Sequence, residues 1–218
     1  AGLVWQTLYG SLCTSTWEPL MSDASHLNRM QRKKDVVDER ISKATEERGV
    51  LILLKGNGKG KSSSAFGTMA RSLGHAQQCA VIQFIKGRRE TGEYLFFRDH
   101  SKLDWHIMGH GFTWETQNRE RDIEAAEAAW AVAKGLLENP AYHMIVLDEM
   151  SYMFKYGYLD PEPVVEALKR RPAHQNVIIT GRTMATPLQE IADTISVVDQ
   201  DERHAFRGGV KAQAGIEY

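Results

Sequence analysis

Cysteine is scarce: the 218-residue chain carries two, Cys13 and Cys79, far apart and in no Cys-x-x-Cys pair. That excludes a disulfide-built scaffold and a cysteine zinc site, and a reducing compartment is the simpler setting. Long apolar runs are missing too. Val50 to Leu54 spans five residues and the alanine-rich Ala128 to Ala133 six, against the roughly 20 that a membrane-crossing helix needs. No charge excess exists: 27 basic and 28 acidic side chains leave a formal net charge of −1. A global basic field for non-specific nucleic-acid binding is therefore absent, although a local patch is not excluded. Residues 1–20 contain no Lys or Arg, so they lack the charged opening of a secretory signal. Repeats and low-complexity linkers are also lacking. The 42% hydrophobic and 25% charged content is that of an ordinary globular chain, and it excludes a disordered or collagenous one.

What is present falls into three parts. Residues 1–20 show no clean periodicity, and Met21 opens the polar stretch that follows. The expectation is that 1–20 are an upstream extension or cloning remnant; the alternative is a tail that packs Trp5, Tyr9 and Trp17. Residues 21–48 read as a helical arm. Met30, Val37, Ile41 and Ala44 make a thin apolar stripe on it, of the kind seen on loosely docked arms. Arg29, Arg32, Lys33 and Lys34 are balanced by Asp35, Asp38 and Glu39, a solvated face. Residues 49–218 form one α/β domain, with regular elements to about residue 200 and a tail beyond. Continuous apolar runs at 50–55, 80–86, 144–149, 176–181 and 194–198, with a weaker one at 103–108, predict strands. Helical patterns at 62–75, 119–138, 161–171 and 185–193 lie between them. Such runs alternating with helices predict a parallel sheet covered on both faces.

The chemistry concentrates in a glycine cluster. Lys55-Gly56-Asn57-Gly58-Lys59-Gly60-Lys61-Ser62 joins the first strand to a helix. There a loop turns backbone N–H groups toward a phosphate at the positive end of the helix dipole. Lys61 would bridge the outer phosphates, and the Ser62 hydroxyl would ligate Mg²⁺. Counted from Gly56, the pattern is one residue shorter than G-x-x-x-x-G-K-[ST]. Met144 to Leu147 then run into Asp148 and Glu149. Acids at the carboxyl end of a parallel strand face the same crevice, where one of them would hold the metal; the pattern does not say which. Such a cradle serves phosphoryl transfer, motors and switches alike. Arg182, after Gly181 at a strand end, reads as phosphate-facing.

Further residues narrow the reading. Gly109-His110-Gly111-Phe112-Thr113-Trp114 sets two aromatics among glycines, which suits a loop laid against a flat ligand; two rings capping the sheet edge is the other reading. His106 and His110 are four apart, but a strand end and a glycine make them unsuited to a metal pair. Met150, Tyr152, Met153, Phe154, Tyr156 and Tyr158 would wall or lid the crevice, or serve dimer contacts.

Together these motifs resemble the P-loop ATP:corrinoid adenosyltransferases, from about Met21 to Tyr218. The signposts are GNGKGKS with AFGTMAR, VIQFIKG, GFTWETQNRE, IVLDEMSYM, VIITGR and the C-terminal HAF, GVKAQ and GI-Y stretch. The short loop is the form this family carries. Ser62 and Ser63 stand where Thr is usual, and Arg88-Arg89 occupy a variable loop. The resemblance implies a P-loop NTPase-like sheet and a transferase in which Co(I) attacks the 5′ carbon of ATP and triphosphate leaves. It implies nucleotide binding by Gly56 to Ser63 with Arg182, and Mg²⁺ (or Mn²⁺) held by Ser62 with Asp148 or Glu149. Lys61 would stabilise the leaving group, while Phe112 and Trp114 would exclude the lower axial ligand of the cobalt. It further implies a homodimer whose N-terminal helix covers the partner's corrinoid site, an electron donor such as a flavoprotein, and a cytoplasmic setting without nucleic acid or membrane. The rival readings are a RecA-like nucleic-acid-dependent ATPase and a small-molecule kinase.

Overall fold

In a computed structural model, the structure describes residues 23–85, 90–108, 118–199, 201–205 and 207–218. The chain separates into two units, 1–46 and 47–218.

The first unit contains α1, Asp23–Lys43. Good helix formers fill it, and Gln31 donates to Asp35 at 2.7 Å and Lys43 to Glu39 at 2.6 Å, each one turn apart. Arg40 and Lys43 in the last turn suit the negative end of the dipole. Leu27, Met30, Val37 and Ile41 on it are all exposed. The helix stops short of the expected residue 48. From Arg48 the backbone is claimed by the second unit: Arg48 pairs with Asp193 at 2.6 Å, and Gly49 N–H donates to the Ala173 carbonyl.

The second unit is built on six strands: β1 Leu51–Lys55, β2 Cys79–Gln83, β3 Leu103–Ile107, β4 Met144–Asp148, β5 Asn176–Gly181 and β6 Thr194–Val197. All pair in parallel, in the order β3-β2-β4-β5-β1-β6. The helices are α2 Lys61–Gly74, α3 Gly92–Phe97, α4 Arg119–Glu138, α5 Ser151–Lys155, α6 Pro161–Arg170 and α7 Thr186–Glu190. Side chains alternate between the two faces, as period two requires. Leu54, Val81, Val146 and Ile178 pack against Ala65, Phe66, Met69 and Leu73 of α2. Leu53, Ile82, Ile145, Leu147, Val177 and Ile179 pack against the alanines of α4 and against Val164, Val165 and Leu168 of α6. The four inner strands β1, β2, β4 and β5 therefore bury both faces, which explains why their runs are apolar throughout. β6 is different: it lies at the sheet edge and is exposed along its length. Two short helices, α3 and α5, escaped the sequence reading. Each is under two turns, too short to show a 3.6-residue period.

Candidate active site

The glycine loop sits at the carboxyl ends of the strands, between β1 and α2. Neighbouring strand ends hold it: Gly56 N–H donates to the Arg182 carbonyl at 3.1 Å and Gly58 N–H to the Val198 carbonyl at 3.0 Å. Gly58 admits no side chain, because a Cβ there would lie 1.7 Å from the Asp199 carbonyl oxygen. Gly60 caps α2 with φ +113°, in the left-handed region that favours glycine, and offers the helix no side-chain cap. The first amides of α2 are thus left for an anion, at the positive end of a 14-residue helix.

Lys61 opens α2 and is 8% exposed. Its Nζ donates to the Gly58 carbonyl at 2.8 Å. Burial pulls its pKa down; Glu149, Asp148 and Asp201 oppose that shift, and Arg182 adds to it. Lys59 is exposed; its N–H donates to Asp201 at 3.3 Å, and its ammonium lies 3.5 Å from the Glu217 carboxylate.

Asp148 closes β4 and is buried. Its Oδ1 accepts from the Ser62 hydroxyl and the Thr180 hydroxyl, both at 2.8 Å, and its Oδ2 accepts from the Gln83 amide at 3.2 Å. Three strand ends and one helix start therefore meet on one carboxylate. Glu149 follows in a left-handed conformation, φ +56°, unusual for a residue with a side chain. Its N–H donates to Thr180 Oγ1 at 2.9 Å. Burial, then the neighbouring charge of Asp148, pushes its carboxyl up to about 7 against Lys61 and Arg182. Glu149 Oε2 is buried with no hydrogen-bond partner. An unpartnered carboxylate oxygen beside a hydroxyl-bonded aspartate fits a divalent cation. No cluster of three His, Cys, Asp or Glu side chains occurs among the described residues, so such a cation would draw further ligands from a bound phosphate or water.

A cavity of about 510 Å³ opens over this cluster, with Lys59 to Ser63, Gln83, Asp148 and Glu149 in its wall. Gly56, Asn57 and Gly58 shape the loop without lining the cavity, and Arg182 is exposed at the end of β5. Thr91 to Glu93 and the tail residues Gly215 to Tyr218 also line it. Gln83, Thr180 and the tail were not singled out from the sequence. A polar residue at the end of an apolar run, Gln83 closing β2 and Thr180 next to last in β5, was the available signal. Met150 and Met153 are buried in the core, with Tyr152, Phe154 and Tyr158 packed on it, so these members of the aromatic run are core or its margin. Tyr156 stacks on Tyr152, ring centroids 5.8 Å apart.

Residues 47–218 match the family model described as ATP:corrinoid adenosyltransferase BtuR/CobO/CobP. The chain belongs to this family. Residues 19–41 match a second model, the N-terminal segment of cob(I)alamin adenosyltransferases, which overlaps α1. The adenosyltransferase is 51% identical over 197 residues to a corrinoid adenosyltransferase of Pseudomonas aeruginosa, covering 90% of this chain and 97% of that one. It is 48% identical over 198 residues to corrinoid adenosyltransferase CobA of Salmonella typhimurium, covering 91% of this chain and all of the relative. A corrinoid adenosyltransferase of Escherichia coli is 46% identical over the same length. Phe112, Trp114 and His110 of the adenosyltransferase lie outside the described residues, as do Arg88 and Arg89. Among the described residues no helix is long and apolar enough to cross a membrane.

Proposed function

We propose that the chain transfers the 5′-deoxyadenosyl group of ATP to the Co(I) of a corrinoid, in the formation or salvage of adenosylcobalamin. The cobalt supplies an electron pair to C5′; the C5′–O bond breaks, and triphosphate leaves with that bond's electrons. The nucleophile belongs to the substrate, so the protein needs neither a nucleophilic side chain nor a general base. What the protein must supply is stabilisation of a highly charged leaving group. Lys61 and Lys59, the loop amides up to Ser62 and, from the end of β5, Arg182 carry that task. Gly56 to Ser63 together form the nucleotide cradle. Asp148, the Ser62 hydroxyl and Glu149 would hold Mg²⁺ or Mn²⁺, whose bound charge offsets that of the phosphates. The observation that carries the reading is the meeting of Lys61, Ser62 and Asp148 in one cavity wall, 86 residues of sequence apart for the last two, in a member of this family.

The flat substrate calls for apolar contact at the cobalt's lower face, and Phe112 and Trp114 are assigned to it. They would exclude water and the nucleotide-loop base, leaving a four-coordinate Co(II) that is easier to reduce. The electron comes from a separate donor such as a flavoprotein. The exposed stripe of α1 is assigned to the partner's corrinoid site in a cytoplasmic homodimer, with residues 21–48 as arm and 49–218 as transferase domain.

The fate of the phosphates tests the reaction. Phosphorus NMR of a mixture of protein, ATP, Mg²⁺ and chemically reduced corrinoid is expected to show inorganic triphosphate. ADP with phosphate would instead support the ATPase rival, and ADP with a phosphorylated acceptor the kinase.

A further inference from the structure

Asp148 is held by more than the two hydroxyls at its Oδ1. Its second oxygen depends on Gln83, and Gln83 in turn depends on a tryptophan at the sheet margin. The Trp105 indole N–H donates to Gln83 Oε1 at 3.0 Å, and Gln83 Nε2 donates to Asp148 Oδ2 at 3.2 Å. The sheet sets this line up. Trp105 of β3 pairs in register with Val81 of β2, and Gln83 pairs with Asp148 of β4. Gln83 is two residues beyond Val81, so it points to the same face. Phe66 and Tyr94 flank the indole, with ring centroids at 5.1 and 5.7 Å, and prevent it from swinging away.

The chemistry of the three groups makes the chain directional. An indole N–H can only donate, and an ionised carboxylate can only accept. An amide between them has one orientation that satisfies both ends: oxygen to the indole, nitrogen to the carboxylate. If the amide flipped, donor would face donor and acceptor would face acceptor, with two hydrogen bonds lost. Without the indole, a flip would sacrifice one, and water could compensate. We infer that Trp105 is a positioning residue which, by fixing the Gln83 amide, fixes the Asp148 carboxylate for the metal-bound nucleotide. This rests on the assignment of Asp148 to the metal. Outer partners of ligating groups commonly tune affinity by about 10- to 100-fold; Trp105 stands one step further out.

The experiment is an EPR titration of Mn²⁺ onto the full chain in saturating ATP, without corrinoid. Trp105→Phe keeps a ring between Phe66 and Tyr94 and removes the N–H; Gln83→Met keeps the length and removes both bonds. Gln83→Met is expected to weaken Mn²⁺ binding about tenfold and Trp105→Phe about threefold. The double variant is expected to bind no more weakly than Gln83→Met alone, because Trp105 acts through Gln83. Thermal melts establish that each variant is folded at the temperature used. Wild-type affinity in either single variant, or losses that multiply in the double variant, would overturn the inference. Asp148→Asn separates it from the reading beneath it. If Asp148→Asn left Mn²⁺ affinity unchanged, the metal assignment would fall and the relay with it. If Asp148→Asn weakened binding while Trp105→Phe did not, the relay alone would fall.

Discussion

Lys61→Ala is expected to lower kcat/KM for ATP by roughly 10²–10³, the loss typical of removing one preorganised donor from a developing negative charge. Lys61 is 8% exposed, and its ammonium reaches the Gly58 carbonyl across the bend of the loop. Burial works against its charge, and the acids Glu149, Asp148 and Asp201 work for it. In the cavity wall it would meet the triphosphate as a fixed positive charge shielded from water, where electrostatic interactions are strongest. The charge is most valuable as the C5′–O bond breaks and negative charge grows on the leaving oxygen, so kcat should fall as well as affinity. The fold should tolerate the change, because alanine is the better helix former at the start of α2 and a desolvated charge is removed. Steady-state kinetics with pre-reduced corrinoid, alongside a thermal melt, measure both effects. Turnover within threefold of wild type would take the loop out of the mechanism.

The second large effect concerns the reducing step. Phe112→Ala with Trp114→Ala is expected to slow reaction started from Co(II) corrinoid by about 100-fold, while reaction started from pre-reduced Co(I) falls far less. Two apolar rings give up roughly 3 kcal/mol of water-excluding contact when truncated, which corresponds to about 100-fold in a rate. That contact matters only while a lower ligand must be kept off the cobalt. Once the metal is Co(I), the attack on C5′ no longer needs it. Parallel assays from the two oxidation states, at matched corrinoid concentration, read the difference. Equal losses in both would refute the ligand-exclusion role and leave the rings as general contacts.

Much of this was legible in the residues, for identifiable reasons. The four strong strands were visible because both faces of a parallel sheet are buried, so β1, β2, β4 and β5 are apolar without alternation. The glycine loop was visible because each glycine answers a local demand, such as the close approach of Asp199 at Gly58. Asp148 stood out because a charge ending a buried strand requires partners. Ser62 had been set beside it from the motif, but the groups from other strands were not legible. Gln83, Thr180 and Trp105 come from three other strands, and strand order is a tertiary fact. The same holds for Gly215 to Tyr218, which reach the cavity from the far end of the chain. Nor did the helical pattern of 22–48 reveal its end at Lys43, since no glycine or proline interrupts the sequence before Gly49.

The proposed transfer requires a cradle that grips three linked phosphates and leaves the sugar's methylene carbon open to reduced cobalt. ATP labelled with ¹³C at C5′, turned over with reduced corrinoid and followed by carbon NMR, tests it most directly. The label is expected to move into a carbon bonded to cobalt. A label that stays in an adenine nucleotide, its C5′–O bond intact while ATP is consumed, would contradict it.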